Sequence, residues 1–166
     1  MDGWRTEQGS FDWTERFVRS GMAPVNPPLD PVRRFFDDDQ FARHCGIRLE
    51  SVGEGRAVAG LTLGPQHLNG FRIPQGGVVF TLADFAFAAA VNSHGRIAVA
   101  ATATISFLKA VTGGSLRAEA REVACSHRLG TYQVEVRDSL GELVALFTGT
   151  AYLKSERIED WYRQQP

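Results

Sequence analysis

Residues Gly76 to Ser93 constrain the fold more than any other stretch of this chain. They read Gly-Gly-Val-Val-Phe-Thr-Leu-Ala-Asp-Phe-Ala-Phe-Ala-Ala-Ala-Val-Asn-Ser. Alanine and leucine favour helix, and the run is too long for an ordinary strand. It is apolar all the way round, so as a helix it is expected to be buried on every side. A membrane span is the competing reading, but Gly76 to Val91 is short for one and carries a carboxylate in its middle.

On either side of this run the hydrophobic period changes to two. Ala57, Ala59, Leu61 and Leu63 alternate with Arg56, Val58, Gly60 and Thr62, the pattern of a half-buried strand. Ile47 and Leu49 point to a partner strand across a Gly53-Glu54-Gly55 turn. Beyond the helix, alternation recurs at Ala101 to Phe107, Leu116 to Arg121 and Tyr132 to Arg137. A last apolar strand, roughly Leu143 to Leu153, follows the hairpin loop Asp138-Ser139-Leu140-Gly141. The expected layout is therefore α+β: a meander of long antiparallel strands, curved and wrapped around one long central helix.

Upstream, Pro24, Pro27, Pro28 and Pro31 fall close together and read as an extended connector. Before it, Phe11, Trp13, Phe17 and Val18 are spaced for a short amphipathic helix or belong to a tail. After it, Phe35, Phe36, Phe41 and Ala42 suggest a short helix ending near Gly46. The triplet Asp37-Asp38-Asp39 sits near its start, where the macrodipole favours negative charge. The expected organisation is an N-terminal extension over 1–35, a main domain over 36–156 and a C-terminal tail over 157–166.

Charge excludes some partners. Lys plus Arg total 18 and Asp plus Glu 19, a formal net charge of −1. Such a chain has no global pull on nucleic acid or an anionic membrane. Cys45 and Cys125 make no C-x-x-C pair, and the four histidines are scattered, so no metal site is expected. Met1 to Ser10 lacks the apolar run of a signal peptide, which makes a cytoplasmic protein the expectation.

Asp84 is the only ionisable side chain between Arg72 and His94. Burying a carboxylate is expensive unless it is paired, hydrogen-bonded or partly wet. It is either a structural aspartate met by a backbone or subunit-interface donor, or a carboxylate facing a substrate. At the head of the same helix, Gly76 and Gly77 leave backbone N–H groups open to a substrate carbonyl, the way an oxyanion hole is built. Tight packing alone would also ask for glycine there. Asp84 lies two helical turns beyond Gly76, about 12 Å along the axis. If both act on one atom, the amide comes from a second subunit's helix.

The run His67-Leu68-Asn69-Gly70, Gly76-Gly77, Leu82-Ala83-Asp84, Ala86-Phe87-Ala88, Asn92-Ser93 and Gly95, continuing through Thr104-Ile105-Ser106-Phe107-Leu108, resembles the PaaI-like (phenylacetic acid degradation) thioesterases of the hotdog superfamily. The resemblance covers roughly residues 40 to 154. It implies the hotdog fold and an acyl-CoA thioesterase that releases a free acid and coenzyme A, with no metal and no cofactor beyond the CoA of its substrate. It makes Asp84 the general base or nucleophile, the Gly76 N–H the oxyanion donor, and Asn69 the residue that helps place the attacking water. It also implies a homodimer with its active sites at the interface, pairing further into a homotetramer. Thr102 or Thr104 supplies an assisting hydroxyl, and Gln75, Gly77 and Arg72 line the substrate site.

Two motifs depart from the family pattern: Gln75-Gly76-Gly77 replaces His-Gly-Gly, and Phe71-Arg72 replaces His-Gly. Glutamine can donate and accept hydrogen bonds but cannot shuttle a proton near neutral pH. Phe80, Phe85 and Phe87 are candidates to line the acyl tunnel, and Arg72, Lys109 and Arg128 to meet the CoA phosphates. The competing readings are a non-catalytic acyl-CoA-binding protein of this fold and a hydratase or dehydratase. The last would want a histidine beside the carboxylate, and none is near Asp84 in sequence.

Overall fold

The computed structural model describes residues 31–163, so the expected helix around Phe11 to Val18 lies outside the described residues. In chain order the elements are α1 (Pro31–Asp37), α2 (Gln40–His44), β1 (Arg48–Gly53), β2 (Arg56–Thr62), a 3₁₀ turn (Pro65–His67), α3 (Gly76–Asn92), β3 (Arg96–Phe107), β4 (Ser115–Cys125), β5 (Leu129–Asp138), β6 (Leu143–Arg157) and α4 (Ile158–Arg163).

The N-terminal part differs in detail from the sequence reading. Pro31 opens α1 instead of closing the connector, consistent with proline's fit to a first helical position. The acidic triplet separates two helices, and Asp39 caps the second by accepting the Ala42 N–H at 2.9 Å. Gly46, at φ +73°, follows the end of α2, a conformation that favours glycine.

All six strands form one antiparallel sheet in the order β1-β2-β4-β5-β6-β3. Only β4, β5 and β6 run as a simple meander. β3 leaves α3 and pairs with β6 at the far edge, so the sheet curls and α3 packs against every strand. This is the hotdog arrangement.

Inward residues of the sheet meet the helix: Leu116, Ala118, Val134, Val136 and Phe147 are all essentially inaccessible. Phe87 packs its ring against Tyr132 and Phe147, with centroids 5.8 and 5.5 Å apart. A side chain at Gly149 would come within 2.8 Å of Phe87 and 2.9 Å of Phe147, so the strand leaves that place empty.

The helix is not buried on every side, as its composition led us to expect. Leu82, Ala83, Ala86, Ala89 and Ala90 are fully buried, but Gly77, Thr81, Asp84 and Ala88 form a stripe that stays partly open. Their three- and four-residue spacing places them on one face.

The two sheet edges are treated differently. Along β1, the Arg33 guanidinium donates to the carbonyls of Leu49 (3.0 Å) and Glu50 (3.4 Å). Among the described residues β3 has no such cover. Among the described strands its one neighbour is β6, and most of its residues are exposed on both faces. A long uncovered edge strand is a template for pairing with another chain.

Candidate active site

The expected site residues lie on the loop before α3, at its head and two turns along it. The segment before it is held by His67, whose Nδ1 accepts the Gly64 N–H (2.8 Å) and whose Nε2 donates to the Cys45 carbonyl (2.9 Å). Facing an N–H on one side and a carbonyl on the other fixes the tautomer. His67 is thus a buried tie between this loop and the end of α2. The sequence signalled it only as part of a motif.

Asn69 closes the loop that follows. Its Oδ1 accepts the N–H groups of Phe71 (2.8 Å) and Ile73 (3.4 Å), and its own N–H donates to the Ile73 carbonyl (2.8 Å). With two amides facing it, the side-chain oxygen is consumed. The Nδ2 donor has no acceptor among the described residues and is the group left for water or substrate. Arg72 sits at φ +61°, a left-handed conformation that costs a non-glycine residue roughly 1–2 kcal/mol. The glycine expected there from the resemblance would adopt this conformation freely. Arginine keeps the turn and adds a cation at its tip.

Gln75 is the N-cap of α3. Its backbone is extended, its Oε1 accepts the Gly77 N–H, and its carbonyl takes the Val78 N–H at 3.0 Å. Sequence reasoning missed this role because glutamine is not among the usual caps. The consequence is specific. Gly77 is engaged by the cap, while among the described residues no acceptor faces the Gly76 N–H.

Asp84 projects from the open stripe of α3, two turns further on. Among the described residues no donor reaches its carboxylate. Burial raises its pKa above the usual value of 3.8, and the charge of Asp39 raises it further. Asp39 lies on the α2 side, brought there by the packing of α2 and α1 on α3; the Phe36 and Phe85 rings meet edge-on at 5.5 Å. No sequence period connects the two carboxylates.

Other expected site residues are placed elsewhere. Thr102 pairs with Thr150 and Thr104 with Thr148, whereas Ile105 pairs with the core residue Phe147. Paired residues share a face, so both threonines lie on the outer face, away from α3 in the same chain. Phe85 and Phe87 are core residues, and Phe80 packs edge-on against Phe147 at 5.6 Å. The Lys109 ammonium is engaged by Glu142, with Asp138 at 4.0 Å. Arg128 sits in the β4–β5 turn, beside the end of β6 and away from the head of α3. The described residues hold no group of three His, Cys, Asp or Glu able to bind a metal ion. None of their helices is long and apolar enough to cross a membrane.

Known proteins share this fold. The family model for the thioesterase superfamily matches residues 75–145, from the Gln75 cap into β6. The chain is 40% identical to the acyl-coenzyme A thioesterase PaaI of Escherichia coli over 124 residues, 74% of this chain and 86% of that protein. The structure of the E. coli PaaI protein superposes with a TM-score of 0.72, at 37% identity, covering 75% of this chain and 91% of that one. A Streptococcus mutans protein bound to acetyl CoA matches with a TM-score of 0.64 at 26% identity, over 67% of this chain and 90% of that one. The chain belongs to the thioesterase superfamily, as a PaaI-like member with the hotdog fold.

Proposed function

We propose that the protein hydrolyses acyl-CoA thioesters, with aromatic or short- to medium-chain acyl groups, to the free acid and coenzyme A. The observation that carries this reading is Asp84, a half-buried carboxylate with no donor among the described residues, on an open stripe of a largely buried helix. The E. coli relative is an acyl-coenzyme A thioesterase by name, and the S. mutans neighbour holds acetyl CoA.

In this mechanism Asp84 takes a proton from water as the water oxygen bonds to the thioester carbon. The carbonyl oxygen becomes an oxyanion and accepts the Gly76 N–H. Such a donor contributes about 3–4 kcal/mol in acyl-transfer sites. Collapse re-forms the carbonyl and breaks the C–S bond, and the leaving thiolate recovers the proton. Direct attack by Asp84, with water cleaving the resulting anhydride, uses the same residue. Because Gly76 and Asp84 are two turns apart on one helix, the site pairs the amide of one protomer with the carboxylate of another. The uncovered edge of β3 supplies the surface for that homodimer. Gln75 does not block the donor, since its side chain engages Gly77 and leaves Gly76 free. Thiol release from a panel of phenylacetyl-, hydroxybenzoyl-, short-chain and medium-chain CoA esters tests the reading. Binding without release on every ester would leave a non-catalytic CoA-thioester protein.

The pH profile carries a further expectation. A general base must be ionised, so the raised pKa of Asp84 places the acid limb of kcat/KM above the usual aspartate range. Asp39→Asn keeps an oxygen to cap α2 but removes the negative charge. The Asp84 pKa then falls, and the acid limb moves to lower pH. An unmoved limb would mean that Asp39 does not act on the titrating group.

A further inference from the structure

Phe107 ends β3 opposite Ala145. Ala145 is fully buried, so the pairing turns Phe107 toward the helix side of the sheet. Yet Phe107 is 55% exposed, where inward residues of the central strands are sealed. Its ring leans over the head of α3. A Cβ added at Gly76 would lie 3.2 Å from the ring Cζ and 3.5 Å from Cε1. Glycine at position 76 therefore permits this approach as well as exposing the backbone.

The contact puts a rigid aromatic wall beside the amide that the mechanism needs. A carbonyl oxygen held by the Gly76 N–H sits about 3 Å from that nitrogen. The acyl substituent on the same carbon then starts within a few bonds of the Phe107 ring. Of the three phenylalanines expected to line the tunnel, Phe85 and Phe87 are sealed in the core, and Phe80 is partly buried against Phe147.

We propose that Phe107 is the residue that limits acyl-group size, admitting compact acyl groups beside Gly76 and disfavouring long chains. This inference rests on the thioesterase reading above. Its test is kcat/KM for phenylacetyl-CoA, butanoyl-CoA and decanoyl-CoA with the wild type, Phe107→Ala and Phe107→Leu. Removing the ring should raise the decanoyl-to-butanoyl ratio by about tenfold or more, the scale on which pockets sort substrates by size. Phe107→Leu should lie between, and it carries the test if the alanine variant fails to fold. A purely structural role would lower all three substrates by one factor and leave the ratio unchanged, which would overturn the assignment. Wild-type protein that releases thiol from no ester would overturn the hydrolase reading itself, and the assignment with it.

Discussion

Asp84→Asn should lower kcat by about 10²–10⁴-fold, the contribution of a positioned general base. The substitution keeps shape and volume but removes the group that accepts water's proton. KM should change little, because the carboxylate acts on water and not on the bulk of the acyl-CoA. The fold should survive. Among the described residues no donor satisfies the carboxylate, and burial already disfavours its charge, so a neutral amide costs no more in that place. Thermal unfolding at neutral pH should show an unchanged or slightly higher midpoint alongside the kinetic loss. Full activity in Asp84→Asn would remove the carboxylate from the mechanism.

The second large effect separates a backbone donor from the space around it. Gly76→Pro removes the N–H, and proline suits the first position of a helix. Gln75, at φ −69° and ψ 133°, already has the conformation that a residue before proline requires. Gly76→Ala adds a Cβ against the Phe107 ring but keeps the N–H, and so serves as the steric control. Loss of one oxyanion donor costs about 10²–10³ in kcat. Gly76→Pro should therefore fall well below Gly76→Ala, with both folded by circular dichroism. Equal activity in the two variants would exclude the amide as the oxyanion donor.

Much of this geometry was legible because local signals agreed. The apolar run gave the helix, and the period of two gave the strands, since burial on one face of a pleated sheet writes itself into alternation. Asp84 stood out as a charge in an apolar run. The open stripe had a signal too, for Gly77, Thr81, Asp84 and Ala88 are small or polar at helical spacing. The helix's mean composition hid it. What stayed hidden depends on contacts far apart in sequence. The placement of β3 beyond β6 is a choice of partner that alternation does not encode. Alternation does put Thr102 and Thr104 on the face opposite Ile105, and it was the resemblance that assigned them an assisting hydroxyl. The effect of Asp39 on Asp84 and the lean of Phe107 over Gly76 likewise arise only in three dimensions.

A mixed-subunit experiment tests the shared site most directly. Asp84→Asn and Gly76→Pro chains, each nearly inactive alone, are co-expressed with different tags and purified as the mixed dimer. A site that joins the Gly76 amide of one protomer to the Asp84 carboxylate of its partner is restored intact in that dimer. Thiol release should then rise well above that of either parent. Activity no higher than the parents, in a mixed dimer that is folded and intact, would contradict a site shared between subunits.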